Sequence, residues 1–253
     1  MPVASVAPTA VVRLEPTTRR ALVWETRFVM VAFIFPGVVG AAVALAQHVN
    51  GVGSVTRFPV ILADNPVGNL IIGILAYLPV AAVVPLGLFL LSRTGQPPAS
   101  LGLGRPRFRL DIWPGIGLVA AAIGSEFALL IPLAPLIEHH RTLFSQTAVG
   151  SVPDYYVVYG LAISITTAVA EEVLVNGYLL VRLEQLGWSP KWALALSLTL
   201  RTSYHIYYGL GFILTVPFGY FVTRSFQKNR RLTRVIAAHF MLDGFLFCLA
   251  ILA

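Results

Sequence analysis

The sequence predicts an all-α, polytopic integral membrane bundle of about seven transmembrane helices, on three observations. Of 253 residues, 57% are apolar and 11% charged, whereas soluble domains carry about a quarter charged residues. The apolar residues gather into runs close to the roughly 20 that cross ~30 Å of hydrocarbon. The basic residues lie in short segments between those runs, so the formal charge of +7 points to a lipid surface and not to nucleic acid. Glycines without a three-residue period, a single cysteine (Cys248) and the high apolar content exclude collagen-like, disulfide-framework and disordered classes.

Residues 1–26 read as a cytoplasmic N-terminal tail with Arg13, Arg19 and Arg20; the first twenty or so have no apolar periodicity and are expected to be loose. Residues 27–253 read as one membrane domain. Its first span, Phe28 to Gln47, lies too far from the start and is too long for a cleaved signal peptide. The second runs from Val67 to Leu91, the third from Ile112 to Ile137 and the fourth from Tyr155 to Leu180. Then come Trp192 to Tyr208, Leu210 to Val222 and Leu232 to Ala253; the sixth, at 13 residues, is a candidate half-helix. Gly95, Pro97, Pro98, Gly102 and Gly104 punctuate the loop before span three. With the N-terminus inside, 15 Lys and Arg fall in inner segments and two, Arg57 and Arg141, in outer ones. This positive-inside pattern places the chain in a membrane, by expectation the plasma membrane, with its N-terminus cytoplasmic.

Ionisable side chains within spans are costly unless paired or hydrated, and each is a functional hypothesis. There are seven: Glu126, Glu171, Glu172, Arg201, His205, His239 and Asp243. Helical residues four apart share a face, so Arg201 with His205, His239 with Asp243, and Glu172 with Asn176 make three polar faces. Spans four, five and seven are expected to enclose them around one wet cavity. A carboxylate that takes a proton from water and imidazoles that serve a developing oxyanion would give hydrolysis; proton or ion relay uses the same residue types. Glu126, beside Ser125, carries no motif and reads first as structural, with pairing to Arg201 as an alternative.

The chain has no HExxH zinc-protease string, no GxSG nucleophile and no GxGD. Instead Ala170-Glu171-Glu172-Val173-Leu174-Val175-Asn176-Gly177-Tyr178, Arg201-Thr202-Ser203-Tyr204-His205 and His239-Phe240-Met241-Leu242-Asp243 occur in this order, with 34 residues from Glu171 to His205 and 34 from His205 to His239. They resemble the EExxxR, FxxxH and HxxxN/D motifs of the CPBP (Abi) family, which holds CAAX prenyl endopeptidases of the Ras-converting enzyme type and bacteriocin-processing or immunity proteins. The resemblance covers about residues 155–253, and Leu101-Gly102-Leu103-Gly104-Arg105-Pro106 is similar to a loop common before the family's core.

That resemblance implies an intramembrane endopeptidase acting on a membrane-associated peptide or protein, CAAX-type prenylated substrates among them. Glu171 would be the base that activates water and His205 would hold that water. His239 and Asp243 would stabilise the oxyanion, and Glu172 would support them. Two positions depart from the motifs: Asn176 stands where the family has Arg, and Arg201 where it has Phe. The expectation is that the guanidinium has moved, so that Arg201 pairs with Glu172 in place of an arginine at 176. His205, His239 and a carboxylate also form a candidate zinc set; the metal-free reading is favoured and zinc is the alternative. The competing functions are a non-catalytic scaffold or immunity factor that binds a partner, and a proton-coupled transporter, which the lack of internal repeats disfavours.

Overall fold

A computed structural model describes residues 15–49, 65–75, 77–139 and 156–252, and among these the regular structure is helical. Helix α1 spans Pro16–Val49, α2 Pro66–Leu75, α3 Leu78–Arg93 and α4 Trp113–His139. Helix α5, Tyr156–Glu171, continues without a break through a π-helical stretch, Glu172–Leu179, into α6, Leu180–Gln185. Helices α7 (Pro190–Ser203), α8 (Val216–Asn229) and α9 (Leu232–Leu252) complete the chain. Apolar runs become helices here because a backbone in lipid must satisfy its polar groups internally.

Four stretches among the described residues are long and apolar enough to cross a membrane: Pro16–Ala46, Val67–Arg93, Phe108–Leu136 and Val157–Gln185. They carry the first four expected spans. The fifth and sixth differ from expectation. Helix α7 stops at Ser203, the chain turns through 3-10 segments at Ile206–Tyr208 and Leu210–Thr215, and α8 runs seven residues beyond Val222. The break falls at Gly209, whose φ of +59° suits a residue without a Cβ. At 1.5 Å per residue, the 14-residue α7 and α8 are each about 21 Å long, short of ~30 Å of hydrocarbon.

Part of the segment read as a tail is helical. Helix α1 begins at Pro16, a good first helical residue, and residues 16–26 are part of the bundle: Leu22 and Thr26 are buried. Glu25 pairs with the fully buried Arg182 at 2.7 Å. Arg182 also donates to Thr94 and to Gln185, each at 2.7 Å, so it is no loop charge but a tie between α1, α3 and α6. Residues 1–14, with Arg13, and the segments carrying Arg57 and Arg141 lie outside the described residues.

The same ties gather the basic segments at one end of the bundle. Asp111, fully buried, accepts from Arg231 Nε at 2.8 Å and Nη2 at 2.7 Å, joining the start of α4 to that of α9. Arg230 pairs with Glu184, and Gln227 donates to the Pro190 carbonyl at 2.9 Å. From that end both arms rise to a common depth. Glu171 lies 14 residues above Gln185 and Arg201 lies 11 above Pro190, and the two meet at 2.9 Å. The continuation of span four past Leu180 makes them level.

Candidate active site

The π-helical stretch is the centre of the bundle: all eight residues of Glu172–Leu179 are buried, packed among α1, α3, α5, α7 and α9. π-helical turns recur at functional sites, and this one starts directly after Glu171. Adjacent helical side chains diverge by about 100°, yet Arg201 reaches both glutamates from between them. Its Nη1 is 2.9 Å from Glu171 Oε2 and 2.9 Å from Glu172 Oε1. The pairing with Glu172 anticipated from the motif departures is present, and Glu171 shares it. Only this nitrogen is engaged; Nε and Nη2 are buried with no hydrogen-bond partner among the described residues. Gly219 of α8 makes the room, since a Cβ there would lie 3.0 Å from Arg201 Cδ.

The two glutamates are not equivalent. The Glu172 side chain is wholly buried and both its oxygens are in use. Oε1 is ion-paired with Arg201 and accepts, at 2.8 Å, from His239 Nδ1, while Oε2 accepts from Asn176 Nδ2. Asn176 Oδ1 in turn accepts from the Thr223 hydroxyl at 2.9 Å, and Thr223 lies 3.3 Å from Ser197 Oγ. Glu171, 13% exposed, takes its protein donors on one oxygen: Arg201 Nη1 and the Tyr204 hydroxyl, at 2.8 Å, both reach Oε2. Among the described residues nothing donates to Glu171 Oε1.

His205 Nδ1 is 2.8 Å from the Arg201 carbonyl. A carbonyl only accepts, so Nδ1 carries the proton and Nε2 faces away from that bond. The ring lies beside Tyr204, with centroids 4.8 Å apart, and parallel to Tyr208 within 9°. By the same logic His239 donates Nδ1–H to Glu172, and its Nε2 is 3.5 Å from Asp243 Oδ2. The Thr167 hydroxyl donates to Asp243 Oδ2 at 3.3 Å. His205 is tied to the Arg201 carbonyl, and His239 and Asp243 connect to Glu171 through Glu172 and Arg201.

The seven residues singled out in the sequence as catalytic or supporting, namely Glu171, Glu172, Asn176, Arg201, His205, His239 and Asp243, are therefore drawn into one cluster. Glu126 is not part of the Arg201 pair, whose carboxylates are Glu171 and Glu172. Tyr204, Thr167, Thr223 and Ser197 were not anticipated. Spacing holds a signal for three of them, because Tyr204 is three residues after Arg201, Ser197 four before it and Thr167 four before Glu171. Thr223 had none, since α8 carries no motif. Among the described residues no group of three or more His, Cys, Asp and Glu is arranged to hold a metal ion; the cation between the glutamates is Arg201.

Residues 153–245 match the family described as type II CAAX prenyl endopeptidase, Rce1-like, and the whole cluster lies within that match. No curated protein and no solved structure matches the chain.

Proposed function

With residues 153–245 matching the Rce1-like family of type II CAAX prenyl endopeptidases, we propose that the protein is an intramembrane endopeptidase in which Glu171 activates the attacking water. The inequality of the two glutamates supports this: Glu172 has both oxygens committed, whereas Glu171 keeps Oε1 without a protein donor among the described residues. A general base needs a free oxygen within hydrogen-bond reach of water.

In this reading Glu171 Oε1 takes a proton from water as the hydroxide adds to the scissile carbonyl carbon. His205 Nε2 accepts the second water hydrogen and orients the attack. His239, protonated on both nitrogens and held by Glu172 through Nδ1, turns its Nε2–H from Asp243, 3.5 Å away, to the developing oxyanion. Glu171 then passes its proton to the departing amine, leaving a carboxylate and an amine as products. Arg201 lies between the two carboxylates, so their charges do not stand unopposed. The chemistry uses side chains of this chain alone, with no resident metal.

The substrate is a membrane-associated peptide or protein, CAAX-type prenylated chains among them. The basic end of the bundle faces the cytoplasm, α9 crosses the bilayer, and α7 and α8 make a re-entering pair that brings Arg201 to mid-depth. The test is cleavage by the detergent-purified protein of lipidated and unlipidated peptides, with and without a chelator. Cleavage that survives the chelator and is lost in Glu171→Gln is expected. A Glu171→Gln variant that keeps the parent's activity overturns the reading.

A further inference from the structure

The segment from Ser203 to Gly209 leaves the α7 ladder just where its side chains enter the site, so something else must hold them. Tyr204 is the first residue of that turn, and its hydroxyl donates to Glu171 Oε2 at 2.8 Å. Its ring is gripped from α1. Phe33 meets it edge to face, with centroids 6.4 Å apart and planes at 68°. At Gly37, one turn further along the same face of α1, a Cβ would lie 3.2 Å from Tyr204 Cβ. Pro36, inside α1, precedes that contact and locally weakens the helix ladder. Twelve residues before Gly37, the pair of Glu25 with the buried Arg182 fastens α1 to α6.

We propose that Tyr204 is a positioning residue for the Glu171 carboxylate, and that α1 holds it in place through Gly37; the inference rests on Glu171 being the base. Arg201 alone would leave the carboxylate free to pivot about its one bond to Oε2. A second donor on the same oxygen stops the pivot and presents Oε1 in a constant direction. Helix α1 lies outside residues 153–245, so an Rce1-like segment depends for its geometry on a helix that the family match does not include.

Four variants of the full-length protein in detergent test this against a peptide the parent cleaves. Tyr204→Phe keeps the ring packing and removes the hydroxyl. It is expected to lower kcat by about 10²-fold, the scale of a misplaced catalytic group, with KM and the thermal midpoint near the parent's. Gly37→Val displaces the tyrosine and is expected to lower kcat similarly; Gly37→Ala, with its milder contact, serves if the valine variant does not fold. Because both changes remove one hydrogen bond, Tyr204→Phe/Gly37→Val is expected to be no worse than the poorer single variant. Full kcat in Tyr204→Phe, or losses that multiply in the double variant, overturns the inference. Glu171→Gln, assayed alongside, separates the two failures: if it still cleaves, the base assignment is wrong and the inference falls with it.

Discussion

Arg201→Met removes the one guanidinium between two buried carboxylates while keeping a long unbranched side chain. Its Nη1 makes two contacts of 2.9 Å, to Glu171 and to Glu172, and the Arg201 side chain is 2% exposed. The hydrogen bond to Glu171 contributes about 1.5–3 kcal/mol, and the ion pair with Glu172 adds to it. Breaking a buried ion pair from one side costs about 3–5 kcal/mol. A loss of that size is a large fraction of the ~5–15 kcal/mol that holds an ordinary domain together. Equilibrium unfolding in mixed micelles would measure it, with peptide cleavage followed on the same preparations. Arg201→Lys should fall between parent and Met, because an ammonium is a point charge that lacks the planar fork. Adding Asn176→Arg to Arg201→Met should recover part of the stability by supplying a cation next to Glu172. If Arg201→Met unfolds within about 1 kcal/mol of the parent, the range of an exposed pair, and still cleaves, the reasoning is refuted.

Three further outcomes follow from the same geometry. Glu171→Gln should lose about 10²–10⁴-fold in cleavage, the contribution of a general base, while its thermal midpoint stays near the parent's; Glu172→Gln should lower both, because it unpairs Arg201 and His239 together. Arg182→Met should destabilise the bundle by less than the roughly 3–5 kcal/mol of a fully buried pair, read by unfolding in micelles, since it removes the tie of α1 to α6 but leaves a Glu25 that is 29% exposed. Asp111→Asn should cost about 1.5–3 kcal/mol through the weakened fork to Arg231, with accelerated proteolysis at the α8–α9 turn as a second readout; unchanged stability would show that this end of the bundle is held by apolar packing alone.

The site was foreshadowed through residue type and helical spacing. His205 four after Arg201, Asp243 four after His239 and Asn176 four after Glu172 share helix faces wherever those helices stand, and a charge in lipid must find a partner. Tyr204 was visible beside His205 but not as a donor to Glu171, because that contact joins residues 33 apart and depends on where α7 ends. Arg182 was misjudged as a loop charge for a related reason. It ends an apolar run, where a basic residue ordinarily meets headgroups, and only the approach of Glu25 from 157 positions away makes its burial tolerable.

By itself the sequence determined the helical class, the first four stretches long and apolar enough to cross a membrane and the ionisable residues within the apolar runs, because composition and 3.6-residue periodicity are local properties of the chain. The tertiary structure decided what depends on through-space distance. It extended the fourth crossing to Gln185, so that Glu171 and Arg201 meet at one depth, and ended α7 at Ser203. It also gave the two neighbouring glutamates different environments, one saturated with donors and one with an oxygen to spare. Neighbours in sequence carry the same formal charge, but only the packing around each carboxylate decides how many donors reach it.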